Sequence, residues 1–221
     1  MGGHFITFEG GEGSGKSTHA AMLAQRLKSF GLEVVLTREP GGSTGAEIIR
    51  HILLSGIAKP LGAETEAILF AAARDDHVRN TIVPALQSGQ WVISDRFIDS
   101  TRAYQGVVGN VDQRLIRSLE RVTVGSAFPE LTFILDVPAQ IGLARARSRR
   151  GQDAADRFES ESIEFHEKLR QAYRSLASEE PARCVVVDGR APRDVVADRI
   201  WSVVRERLHP ERIEAAENAT P

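Results

Sequence analysis

The sequence predicts an α/β fold in which a five-stranded parallel sheet is covered by helices on both faces. Three observations carry this. β-rich and helix-periodic segments alternate along the 221 residues. The β-rich runs are continuous rather than alternating, as in strands buried on both faces. Between the first strand and the first helix, Gly10-Gly11-Glu12-Gly13-Ser14-Gly15-Lys16-Ser17 fits G-x-x-x-x-G-K-[ST] in full, in the context that a phosphate-binding loop requires.

The elements follow in order. Residues 5–8 are the first strand. Residues 17–30 read as a helix, with Leu23, Leu27 and Phe30 at spacings of four and three, and Gly31 stops it. Residues 33–37 form the second strand. Residues 46–54 place Ile48, Ile49, Ile52 and Leu53 on one helix face, and 65–79 read as a longer, mostly buried helix. The third strand is 91–94, followed by an amphipathic helix over 112–122. The fourth and fifth strands are 131–135 and 184–187. A closing helix covers 192–208, with Pro192 suited to its first turn. Residues 145–157 hold five arginines among small and polar residues, between two helical segments. The polar tail 209–221 is expected to fray. The chain 1–221 reads as one domain.

Composition narrows the function. With 42% hydrophobic and 26% charged residues, a core can form without staples. A net charge of −2 argues against bulk attraction to nucleic acid. No apolar run approaches the ~20 residues of a membrane span. Met1-Gly2-Gly3-His4-Phe5 lacks a signal-like core, and Ile6 argues against myristoylation. The single cysteine, Cys184, excludes an internal disulfide and reads as a buried strand residue. A cytoplasmic protein is expected.

The chemistry sits at strand ends. In the loop, glycines turn backbone N–H groups toward an anion, and the helix N-terminus adds positive charge. Lys16 is suited to β- and γ-phosphates and the Ser17 hydroxyl to Mg²⁺. Gly10 to Gly15, with Lys16, Ser17 and Thr18, is thus the expected ATP site, and no Asn-Lys-x-Asp element favours GTP. Strand three runs straight into Asp95-Arg96-Phe97. Ligands of open parallel sheets sit beyond the carboxyl ends of strands, so Asp95 can organise Mg²⁺ and Arg96 can fork onto a phosphate. The plainer reading is a surface ion pair. Arg38 stands at the end of strand two. Lys16, Arg38 and Arg96 together suit two phosphate groups. Asp136 is a rival strand-end aspartate that lacks a basic neighbour in sequence.

These residues resemble the thymidylate kinase family over about 5–208. The parts are Phe8-Glu9-Gly10 leading into the loop, Thr37-Arg38-Glu39-Pro40-Gly41-Gly42, Phe70-Ala71-Ala72-Ala73-Arg74, Asp95-Arg96-Phe97, Ser100-Thr101-Arg102-Ala103-Tyr104-Gln105-Gly106, and Asp156-Arg157-Phe158-Glu159. The resemblance implies transfer of the γ-phosphoryl of ATP to dTMP, with Mg²⁺, in a homodimer. It implies that Phe70 stacks on thymine, Arg74 bonds a base carbonyl, Asp95 and Arg96 position Mg²⁺ and the monophosphate, and Tyr104 packs under the deoxyribose. Thr101 and Gln105 fall where base-edge contacts are expected, and Glu12 matches a residue that contacts the 3′-hydroxyl. Phe70 and Arg74 share a helix face at i,i+4, although a core aromatic and a surface arginine would show the same spacing. Gly11, Glu12, Gly13 and Ser14 include no arginine, whereas Arg145, Arg147, Arg149 and Arg150 crowd an expected lid over 145–158. That is similar to the bacterial type, whose catalytic arginine lies in the lid; Arg149 and Arg157 are the leading candidates. Kinases of UMP or dUMP, an acceptor-free P-loop ATPase, and a nucleotide-binding module without turnover are the alternatives.

Overall fold

The computed structural model describes residues 3–151 and 157–210. Residues 152–156 of the expected lid, Asp156 among them, and 211–221 of the expected tail lie outside the described residues. The strands are β1 (Phe5–Glu9), β2 (Val34–Arg38), β3 (Trp91–Asp95), β4 (Leu131–Asp136) and β5 (Cys184–Asp188). They form one parallel sheet in the order β2-β3-β1-β4-β5. Each strand runs one residue beyond its apolar segment, to Glu9, Arg38, Asp95, Asp136 or Asp188. Hydropathy stops at a charge, but a backbone ladder does not. Because the strands are parallel, all five charged tips share one edge, where such sheets bind ligands.

The helices are α1 (Lys16–Ser29), α2 (Thr44–Leu54), α3 (Gly62–His77), α4 (Val83–Gln87), α5 (Ile98–Thr101), α6 (Gln113–Val124), α7 (Ala139–Arg150), α8 (Ile163–Glu179) and α9 (Arg193–Leu208). α1 and α9 close one face of the sheet over Ile6, Phe8, Leu131 and Phe133, with Leu23, Leu27, Ile200 and Trp201 facing them. The other face is covered by the segment after α3, by α5 and the end of α6, around Phe5, Ile82, Val92 and Phe97. There α8 packs Leu169 and Tyr173 on Ile134 and Tyr104. Cys184 is buried on β5 as expected, and burial pushes its thiol up to about 12.

Three departures bear on function. The helix expected over 65–79 starts earlier and passes through a π turn, Val78–Ile82, into α4. A second wide turn, Arg102–Val108, follows α5. The arginine-rich stretch is helical through Arg150 as α7, because alanine and arginine are strong helix formers. Gly151, at φ 66°, stands at the end of α7.

Candidate active site

The loop after β1 is packed hard on its surroundings. A Cβ at Gly10 (φ 132°) would sit 2.6 Å from the Leu135 carbonyl, and one at Gly13 would sit 1.9 Å from that of Gly142 on α7. The loop is therefore wedged between the end of β4 and the arginine helix. Lys16 opens α1 and is buried. Its Nζ donates to the Gly11 carbonyl at 2.8 Å and reaches the Ser14 hydroxyl at 3.5 Å. Burial, and then Arg96, bring its pKa down to about 8 against the pull of Glu12 and Asp95.

At the tip of β3, the Ser17 hydroxyl donates to Asp95 Oδ2 in a short bond. Arg96 sits in the left-handed region at φ 72°, a conformation that costs a non-glycine residue on the order of 1–3 kcal/mol. Two bonds hold it there: its N–H donates to the Phe8 carbonyl at 2.9 Å, and its carbonyl accepts from the Ser94 hydroxyl at 2.8 Å. This backbone turn directs the guanidinium back over the phosphate loop. Nη1 donates to the Gly10 carbonyl at 3.2 Å and Nη2 to Glu12 Oε1 at 2.5 Å. The guanidinium also lies 5.3 Å from the centre of the Tyr104 ring, and the Tyr104 hydroxyl donates to Glu12 at 2.9 Å. Burial alone would raise the Glu12 carboxyl, but Arg96, Lys16 and Tyr104 prevail and hold it at about 2.

Beneath them lies Glu9, wholly buried. It accepts from the Phe97 N–H at 2.8 Å and from the Ser100 N–H and hydroxyl at 3.2 and 2.6 Å, so it caps the short helix that carries Thr101. Burial, and then Asp99, raise its pKa to about 7.

A cleft of about 240 Å³ opens between the loop and α2, α3 and α5. Glu12, Gly13, Gly15, Lys16, Ser17, Asp95 and Arg96 line it together with Phe70, Arg74, Thr101, Tyr104, Gln105 and Phe158. The rings of Tyr104 and Phe158 meet edge to face at 5.1 Å, and Phe70 stands 6.1 Å from Phe158. Arg74 is buried, donating from Nε to Glu39 at 2.8 Å and from Nη2 to the Phe97 carbonyl and Thr101 hydroxyl at 3.0 and 3.1 Å. Gln105 is only 2% exposed and lines the cleft. Its amide offers the cleft both a donor and an acceptor.

The structure sorts the remaining candidates. Arg38 is exposed at the rim, paired with Glu47 at 3.0 Å. Arg149 lines the cleft and is only loosely paired with Glu159, at 3.9 Å. Arg157 is turned away: its Nε lies 2.8 Å from Glu66 without an aligned hydrogen bond, and Nη1 donates to Glu161 at 2.8 Å. Gly10, Gly11 and Ser14 frame the loop without lining the cleft, and Thr18 is exposed on α1. Asp136 does have a basic partner: Arg170 on α8 donates to both its oxygens at 2.6 and 3.0 Å. Sequence reasoning missed Arg50, Glu39, Phe158 and Glu9 as site residues. Arg50 lines the cleft from α2 and donates to the Pro40 carbonyl at 2.6 Å. Only the amphipathic pattern of α2 could have drawn attention to it.

Known proteins resemble this chain over most of its length. A family profile described as Thymidylate kinase matches residues 8–200. A thymidylate kinase of Bradyrhizobium sp. (strain ORS 278) is 60% identical over 206 residues, covering 93% of this chain and 91% of its own. One of Rhodopseudomonas palustris (strain BisB18) is 56% identical over 218 residues, covering 98% and 95%. The crystal structure of thymidylate kinase from Ehrlichia chaffeensis superposes with a TM-score of 0.74 at 35% identity, over 93% of this chain and 99% of that one. The likeness spans the phosphate loop, the strand tips and the aromatic cleft alike, and the chain belongs to the thymidylate kinase family.

Proposed function

We propose that the chain transfers the γ-phosphoryl group of ATP to dTMP, giving ADP and dTDP. The observation that carries this is that one cleft is lined both by Lys16 and Arg96 and by the rings of Phe70, Tyr104 and Phe158, with the amide of Gln105 beside them. A phosphate oxygen of dTMP forms the new O–P bond while the bond from the γ-phosphorus to the β–γ bridging oxygen breaks, and ADP leaves with that electron pair. The attacking oxygen is already anionic, so no strong base is needed. Alignment and charge neutralisation are the enzyme's work.

The residues divide as follows. The loop from Gly10 to Thr18 cradles the donor phosphates, and Lys16 gives up Gly11 to bind them. Arg96, with Arg38 at the rim, holds the acceptor phosphate. Phe70 stacks on the base, Arg74, Thr101 and Gln105 read its edge, and Tyr104 and Glu12 bound the sugar. Arg149 closes on the transferring group. Arg157 would join it only by leaving Glu66 and Glu161. The Ser17 hydroxyl and Asp95 carboxylate, already paired, are hard oxygen donors suited to Mg²⁺. Among the described residues no cluster of three or more His, Cys, Asp or Glu forms a metal cage, which fits an ion held mainly through phosphates and water. When bound, Mg²⁺ supplies neutralising charge to the phosphates.

No helix among the described residues is long and apolar enough to cross a membrane. A cytoplasmic homodimer is part of the proposal, and exposed Ile48, Ile68 and Val122 on α2, α3 and α6 support a partner surface.

A coupled assay of ADP release across dTMP, dUMP and UMP tests the function. The highest kcat/KM is expected with dTMP. Preference for another monophosphate would overturn the acceptor, and release independent of acceptor would favour an ATPase. Phe70→Ala should raise KM for dTMP by about tenfold or more, since base stacking contributes roughly 1–3 kcal/mol. KM for ATP should stay within about twofold. pH gives a third readout. Lys16 must be protonated to attract phosphate, and in the free chain it loses its proton near pH 8. kcat/KM for ATP, which reports the free enzyme, should therefore fall about tenfold per unit above that pH. Bound phosphate raises the lysine again, so kcat should hold to higher pH. A flat kcat/KM profile from pH 7 to about 9.5 would contradict this role.

A further inference from the structure

His77 is the last residue of α3, is fully buried, and takes no part in the transfer described above. Its ring bridges two partners. Nδ1 lies 3.0 Å from Glu39 Oε1, and Nε2 lies 2.7 Å from the Thr37 hydroxyl. A neutral ring satisfies both: Nδ1–H donates to the carboxylate, and Nε2 accepts from the hydroxyl. The other oxygen of Glu39 accepts from Arg74 Nε at 2.8 Å. The carboxylate is thus held from both sides and cannot rotate without losing His77, Arg74 or both. Arg74 Nη2 is fixed on Phe97 and Thr101. Arg74 itself lines the cleft.

The surrounding backbone is shaped to this contact. Immediately after His77 the helix widens into the π turn Val78–Ile82, a feature frequent at functional sites. Asp76 accepts from the Ser43 hydroxyl at 2.6 Å, and the Thr81 hydroxyl donates to the Gly42 carbonyl at 2.8 Å. The segment that carries Arg38 and Glu39 is therefore clamped to the helix on both sides of His77. At Gly42 (φ 86°) any Cβ would fall 2.4 Å from His77 Nε2 and from Thr37 Oγ1, so only glycine leaves the bridge intact.

We infer that His77 is a positioning residue for acceptor recognition. It locks Glu39, and through Glu39 it aims the Arg74 guanidinium into the cleft and ties that aim to the segment bearing Arg38. The inference rests on the proposed assignment of Arg74 to the acceptor base. A histidine that merely filled the core would affect stability without choosing between the two substrates.

Steady-state kinetics of His77→Asn and His77→Gln, with Arg74→Ala beside them, separate these roles. Asparagine places its amide near the position of Nδ1 and keeps a donor for Glu39. Glutamine places its amide near Nε2 and keeps only the link to Thr37. His77→Gln should raise KM for dTMP about tenfold and His77→Asn less than about threefold, with KM for ATP within about twofold in both. Thermal unfolding should not rank the two variants in the same way. Equal KM for dTMP in the two variants, or parallel shifts in both substrates, would overturn the inference. If Arg74→Ala raises KM for dTMP while His77→Gln leaves it unchanged, the link through Glu39 fails alone. If Arg74→Ala itself leaves it unchanged, the assignment of Arg74 to the base fails and takes the inference with it.

Discussion

Lys16→Ala should lower kcat by about a thousandfold or more while leaving the fold intact. Removing one preorganised donor at a developing charge typically loses on the order of 10²–10³ in kcat. Lys16 also supplies a full charge in a buried setting, where screening is weak. The stability side runs the other way. Burial brings the Lys16 pKa down to about 8, so below that pH the charged lysine is less favourable in the folded chain than in the unfolded one. The penalty fades only as pH rises from about 8 toward the ordinary lysine value. At pH 7 the alanine variant should therefore unfold at the same temperature or higher. A variant with near-normal kcat would refute the role of Lys16. One that lost kcat only by unfolding would leave the lysine structural.

Arg96 is the second large effect. Its guanidinium holds the Gly10 carbonyl, Glu12 and Tyr173 at once, at 2.5 to 3.2 Å. Arg96→Ala leaves Glu12 largely buried without its cation, a change that destabilises by roughly 3–5 kcal/mol in comparable pairs. Loss of activity in that variant would be ambiguous, so Arg96→Lys is the sharper test. Lysine restores charge but not the planar fork. It should lower kcat/KM for dTMP by about a hundredfold with a much smaller loss in stability. Normal kcat/KM in Arg96→Lys would mean that charge alone suffices and that the forked contact is not used.

The parts of the candidate site that are legible in the sequence are those encoded locally. The phosphate loop is eight consecutive residues, and strand three runs directly into Asp95 and Arg96. Phe70 and Arg74 are one helical turn apart, and both reach the same cleft. The parts that are not legible there depend on partners far apart in the chain. Glu9 follows an apolar strand, and only the folded chain shows Phe97 and Ser100 donating to it across about ninety residues. Asp136 looked unpartnered because Arg170 arrives from α8. Arg157 looked available because Glu66, which draws it aside, belongs to α3. In sequence the arginine-rich stretch reads as lying between two helical segments, and the family resemblance marks it as a lid. Helix propensity carries α7 as far as Arg150, and the close approach of Gly13 to Gly142 lays that helix against the phosphate loop.

The account stands on one claim: cationic groups gathered at neighbouring strand tips allow two anionic nucleotides to meet in line with water kept out. Chromatographic quantification of every nucleotide after the purified chain has been incubated with ATP, Mg²⁺ and dTMP tests it most directly. One dTDP should form for each ADP, and omission of dTMP should leave ATP essentially intact. ADP and free phosphate accumulating without dTDP would contradict it.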